Sequence, residues 1–164
     1  MKPLRYAVTA AILLSTTLAA AASDAQKAFD ALKALEGTWE GKNNQGQTLT
    51  ISFRATADGS ALMNEIHGVH KDNMITMFHL DGDRLLLTHY CSAGNQPRMK
   101  ASLAPDGKSV SFDFVDATNL SSPETGHMNR VVFAIPDANH HSEEWTFLDH
   151  GKQMKETFAL ERRR

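Results

Sequence analysis

Along most of the chain, apolar and polar residues alternate with a period of two. Breaks rich in Gly, Asn, Asp and Pro interrupt the alternation roughly every eight to twelve residues, the signature of short strands in a meander. Ten runs follow from it: Thr38–Lys42, Thr48–Ala57, Ala61–His70, Met74–Leu80, Arg84–Cys91, Arg98–Leu103, Ser109–Asp116, His127–Ile135, Ser142–Leu148 and Gln153–Glu161. The breaks carry turn chemistry, as in Asp58-Gly59, Asp81-Gly82, Gly94-Asn95, Pro105-Asp106-Gly107 and His150-Gly151. Asp-Gly and Asn-Gly pairs favour the positive φ angles of tight hairpins.

Before Gly37 the period is helical. Ala25, Ala28, Ala31, Leu32 and Leu35 predict a helix from Asp24 to Leu35, capped by Ser23 or Asp24 and ended by Gly37. Ten consecutive strands with no helix between them predict an all-β fold, an antiparallel up-and-down meander closed into a barrel, because closure removes the exposed edges. A two-sheet sandwich is the alternative. A barrel of this size can be filled by its own side chains or can hold one small ligand.

The N-terminus changes where this barrel is expected to work. Lys2 and Arg5 precede an apolar run from Tyr6 to Leu18, and Ala20, Ala21 and Ala22 supply small residues before Ser23. This reads as a secretory signal peptide over 1–22, leaving 23–164 as one domain in the periplasm or outside the cell. The apolar run is too short to span a bilayer core of about 30 Å, so stable membrane insertion after cleavage is not expected. Lys2 and Arg5 leave with the signal and no acidic residue does, so a net charge of −2 becomes −4. No basic stripe remains for phosphates, which argues against nucleic acid as a partner. Cys91 is the only cysteine, so no internal disulfide can form, and the default for it is burial as a small apolar residue.

Gly37-Thr38-Trp39-Glu40-Gly41 stands between the helix and the first strand, and Phe158-Ala159-Leu160-Glu161-Arg162 ends the last one. This arrangement resembles the calycin-like barrels: lipocalins, fatty-acid-binding proteins and nitrobindin-like relatives. In these a Gly-x-Trp opens the first strand, and the Trp closes one end of the barrel beneath a short helix. The resemblance implies barrel closure by Gly37, Trp39 and Arg162, with Arg162 stacked on Trp39 through a cation–π contact. The run from His89 to Met99 looks like a signature of an uncharacterised bacterial branch of these barrels. The Arg-x-Tyr pair of fatty-acid-binding proteins is missing, since the last strand reads Lys155-Glu156-Thr157-Phe158. The nitrobindin-like relatives imply haem held by a barrel histidine.

Hairpin geometry selects candidate inward residues. With Asp81-Gly82 as a two-residue turn, Phe78 faces Leu85, Thr76 faces Leu87 and Met74 faces His89, which puts His89 and Cys91 inside and His79 outside. With Lys71-Asp72 as the preceding turn, His67 faces Thr76 and Glu65 faces Phe78. The interior then collects Glu65, His67, Thr76, His89 and Cys91. An ionisable group in an apolar barrel is costly unless paired or used, so this set is the first candidate for a ligand site. It reads equally as a hydrogen-bonded buried cluster without a ligand. Asn95, Gln96 and Arg98 form either a self-bonded loop or a polar rim whose Arg98 meets an anionic group. Adjacent His140 and His141 read as solvated loop residues.

Four functions come into question. The first is a barrel holding a small, mostly apolar ligand anchored by Glu65, His67, His89 and Arg98. The second is haem ligation by His67 or His89. Zinc on Glu65, His67 and His89 is a further cofactor reading. The third is an acid–base lyase or isomerase using Glu65 and His89, and a Cys91–His89 nucleophile would be a loose pair with Cβ atoms roughly 6–7 Å apart. The fourth is a filled structural barrel. Nothing in the chain marks out an oxyanion hole or a substrate, so binding is favoured over catalysis.

Overall fold

A computed structural model describes residues 21–68 and 73–164. The expected signal peptide and the Lys71-Asp72 turn fall largely or wholly outside the described residues. A helix, α1 (Asp24–Lys33), precedes ten strands: β1 (Gly37–Asn43), β2 (Thr48–Thr56), β3 (Ala61–His67), β4 (Met74–Asp81), β5 (Arg84–Tyr90), β6 (Gln96–Leu103), β7 (Ser109–Thr118), β8 (His127–Ala134), β9 (His140–Asp149) and β10 (Lys152–Arg162). Each strand pairs antiparallel with its neighbours in sequence, and β1 pairs with β10, so the sheet is a closed barrel. The all-β meander barrel read from the sequence is the observed fold, and the sandwich is not.

Turn residues set the hairpins. Asp149 pairs with Lys152, leaving His150 and Gly151 at φ 45° and 74°, the two left-handed positions of a tight hairpin. At the β4–β5 turn Asp81 pairs with Arg84, so the two turn residues are Gly82 and Asp83 rather than Asp81 and Gly82. Gly82, at φ 60°, takes the first turn position, where a left-handed angle is needed.

One end of the barrel is closed. Ser23 caps α1 by accepting a bond from the Gln26 N–H, and the helix buries Ala28, Phe29 and Leu32 against β2, β4, β5 and β6. Trp39, wholly buried, donates its indole N–H to the Leu35 carbonyl at 2.7 Å. The Arg162 guanidinium lies 4.2 Å over the Trp39 ring and donates to the carbonyls of Ala34, Glu36 and Ala138 at 2.8, 2.6 and 2.8 Å. One planar cation therefore ties the helix end, the β8–β9 turn and the last strand together. We call this the lower end. Above it Phe53, Phe78, Phe112 and Phe133 meet edge to face or tilted, with ring centres between 5.5 and 6.4 Å apart.

Arg162→Ala removes three carbonyl caps and the cation–π contact. It is expected to lower stability by about 2 kcal/mol, and Arg162→Lys by most of that, since an ammonium cannot span three carbonyls. Urea unfolding measures it as a lower midpoint at unchanged slope.

Candidate ligand-binding site

The strand registers decide which side chains face inward. The β4–β5 pairing, Thr76 with His89 and Phe78 with Leu87, differs from the expected one by two residues, which keeps every side chain on its face. Thr76 and His89 are thus fully buried, with Thr76 Oγ1 and His89 Nδ1 2.9 Å apart. His79 and Tyr90 are exposed on the outer wall.

The β3–β4 pairing differs by three, and an odd slip turns the strand over. Asn64 faces Thr76 and Ile66 faces Met74, so Leu62, Asn64 and Ile66 point inward. The inward placement of Glu65 and His67 is corrected. Both lie on the outer wall, His67 Nε2 is 3.6 Å from Glu65 Oε1, and Asn73 donates to the same oxygen. Glu65 and His89 stand on opposite faces of the sheet and form no acid–base pair. Among the described residues no group of three or more His, Cys, Asp or Glu is placed to hold a metal ion, so the Glu65–His67–His89 zinc set is not assembled.

The interior acid comes from β9 instead. His141, Glu143 and Trp145 alternate inward along it, and the Glu143 side chain is completely buried. Trp145 donates its indole N–H to Glu143 Oε2 at 2.9 Å. Asn64 donates to Oε1 at 3.4 Å, and His141 Nε2 lies 3.4 Å from the same oxygen. The tautomer with its proton on Nε2 lets His141 donate as well. Trp39 and Phe53 box the His141 ring at 4.3 and 5.6 Å, and the His89 ring lies 4.7 Å from Trp145. A carboxylate in an apolar interior needs these donors, and the surrounding aromatic rings keep it from solvent. Buried and bonded to one another, these side chains fix the interior. His140 and His141 are strand residues, not loop residues. The signal for the cluster was present in His141-x-Glu143-x-Trp145, a period-two triplet whose polar members pass for a solvated face.

The polar run after β5 divides. Asn95 is buried and donates to the Gly126 carbonyl at 2.8 Å, joining the β5–β6 turn to the β7–β8 loop. Gln96 accepts from Thr118 Oγ1 and donates to the Gly94 carbonyl. Arg98 lies on the outer wall, exposed, with Nε and Nη2 each 2.5 Å from an Asp116 carboxylate oxygen. That bidentate pair raises the guanidinium's already high pKa and occupies the group expected to meet an anion at the mouth.

The upper end, away from α1, is open. A pocket of about 420 Å³ is lined by Gln45, Cys91, Ser92, Ala93, Met128, Trp145, Phe147, Met154, Lys155 and Glu156. Trp145 and the neighbouring Met128 are largely buried, whereas Met154 is 45% exposed. Cys91 packs against the edge of the core and also lines this hollow. Burial pushes its thiol above the usual pKa, and the Ala93 N–H donates to Sγ at 3.5 Å. Of the sequence-selected residues only Cys91 lines this pocket. Thr76 and His89 lie on the same inner wall as it. A second hollow, of about 500 Å³, lies around Ala134, Ser142 and Ala159.

No family model matches this chain, and no curated protein does. Solved structures do. The structure of Rv2717c from M. tuberculosis is 15% identical with a TM-score of 0.57, over 84% of this chain and 98% of that one. A protein of unknown function of the DUF3598 family from Nostoc punctiforme PCC 73102 is 11% identical with a TM-score of 0.52, over 81% of this chain and 49% of that one. This chain thus spans about half of the Nostoc protein. The likeness is one of fold. It leaves the chemistry of this ten-stranded closed barrel to its own residues.

Two outcomes follow from the site. Glu143→Ala strands three buried donors and is expected to cost about 3 kcal/mol in urea unfolding, while Glu143→Gln, which keeps an acceptor, costs less. Cys91 is expected to react with iodoacetamide more slowly at pH 8 than in the urea-unfolded chain, because burial lowers its thiolate fraction. The two rates converge as pH rises past the raised pKa.

Proposed function

We propose that this chain is an exported, lipocalin-like barrel that holds a small, mostly apolar molecule in the upper end of its interior. The observation that carries this reading is the mouth pocket. Its volume of about 420 Å³ falls in the range of small-ligand sites, and its floor and walls are Trp145, Phe147, Met128, Met154 and Cys91. Two thioethers give the wall the adaptability that varied apolar shapes require. The lower half, filled by aromatic rings and closed by Trp39 and Arg162, is a rigid base for it. Export rests on the basic and apolar pattern of the first 22 residues. Kinship with the calycin-like barrels is part of the same proposal, supported by Trp39 lying between α1 and Arg162.

Haem has less to stand on. No histidine among the described residues lines the pocket, His67 is on the outer wall, and His89 lies inside on β5 bonded to Thr76.

Nile red, an uncharged apolar dye, is expected to bind one per chain with a rise in emission. Met154→Trp places a large ring in the mouth at a half-exposed position and is expected to weaken binding at least about tenfold, with the melting temperature unchanged. Equal binding by the two proteins would place the dye elsewhere and remove the basis of the proposal.

A further inference from the structure

The polar groups of the mouth pocket are unevenly committed, and this points to the ligand's charge. Gln45 and Ser92 are neutral. Lys155 is answered, with Nζ 2.6 Å from Glu144 Oε1. Glu156 differs from these. It stands opposite Trp145 in the β9–β10 register, as Met154 stands opposite Phe147, so all four share the inner wall. Its Oε1 accepts a 2.8 Å bond from the amide of Asn43, a buried residue.

Asn43 is itself fully used. Its Oδ1 accepts the N–H groups of Gln45 and Gln47 at 3.0 and 2.8 Å, and its Nδ2 also donates to Gln47 Oε1 at 2.7 Å. The β1–β2 turn therefore holds the Glu156 carboxylate in place through a neutral amide and leaves its charge uncompensated. No Lys, Arg or His ion pair forms on Glu156 among the described residues, and its second oxygen remains for a ligand donor. Trp145, its cross-strand partner, lines the same pocket, and indole rings attract cations.

We propose that the ligand is an amphiphilic amine. Its ammonium group sits between the Glu156 carboxylate and the Trp145 ring, and its apolar body lies against Phe147, Met128, Met154 and Cys91. This deepens the pocket reading above and rests on it. An anionic amphiphile of the same size meets a carboxylate with no partner cation and is rejected.

Titration calorimetry of the purified protein with 1-octylamine, 1-octanol and sodium octanoate at pH 7 tests it. The amine is expected to bind at least about tenfold more tightly than the alcohol, with octanoate weakest. In Glu156→Gln, which keeps an acceptor for Asn43, the ratio of amine to alcohol affinity is expected to fall to within about twofold of one. Alcohol and amine binding equally to the wild type, octanoate binding best, or an amine advantage that survives Glu156→Gln would overturn the proposal and leave the pocket standing. If none of the three binds and Nile red does not either, the pocket reading itself fails.

Discussion

The seam between β1 and β10 turns a ten-strand sheet into a ring, and both ends of the molecule are built on it. Its register runs from Trp39 opposite Arg162 to Asn43 opposite Phe158. At one end it lays the Arg162 guanidinium over Trp39; at the other it brings Asn43 within reach of Glu156. The strands approach so closely at its centre that a Cβ on Gly41 would lie 1.9 Å from the Ala159 carbonyl oxygen, which only glycine avoids. An open seam would leave two long edges and expose the apolar lining of every strand.

Once the ring is closed, its interior has to be accounted for by height. Below the middle the space is taken by Trp39 and the ring cluster of Phe53, Phe78, Phe112 and Phe133, and Glu143 sits among its donors Trp145, Asn64 and His141. A half-satisfied carboxylate there would cost more than an apolar residue of the same size, so the three donors act as a unit. Trp145 joins the two regions: its N–H serves Glu143 and its ring forms the floor of the mouth. Above that floor the lining changes to Cys91, Met128, Phe147 and Met154, side chains that shape a hollow without demanding hydrogen bonds.

How much of this could be read from the sequence depended on the kind of information. Strand positions followed from alternation and turn residues, because a half-buried strand must show period two, and all ten were legible. Facing was harder. At Asp81–Arg84 the turn lay one position later than expected, which moved the register by two and changed no face. At the β3–β4 connection the register moved by three and exchanged Glu65 and His67 for Asn64. The last pair before that connection is Ile66 with Met74, a separation that no two-residue turn gives, and nothing local in the sequence states it. His141 and Glu143 were hidden for another reason. Polar residues at alternate positions look the same whether they face water or a buried partner, and the partner Asn64 is far along the chain. The commitment of Asn43 to Glu156 likewise arises across strands distant in sequence, and that of Arg98 to Asp116 depends on the β6–β7 register.

The interior is filled at the Trp39 end and open at the Trp145 end. These are the chain's two tryptophans, one in each region. Fluorine NMR of protein labelled with 5-fluorotryptophan, titrated with an uncharged apolar probe, reports on both at once. The Trp145 resonance is expected to shift or broaden while that of Trp39 stays in place. A shift at Trp39 alone, or at neither residue while the probe binds, would contradict it.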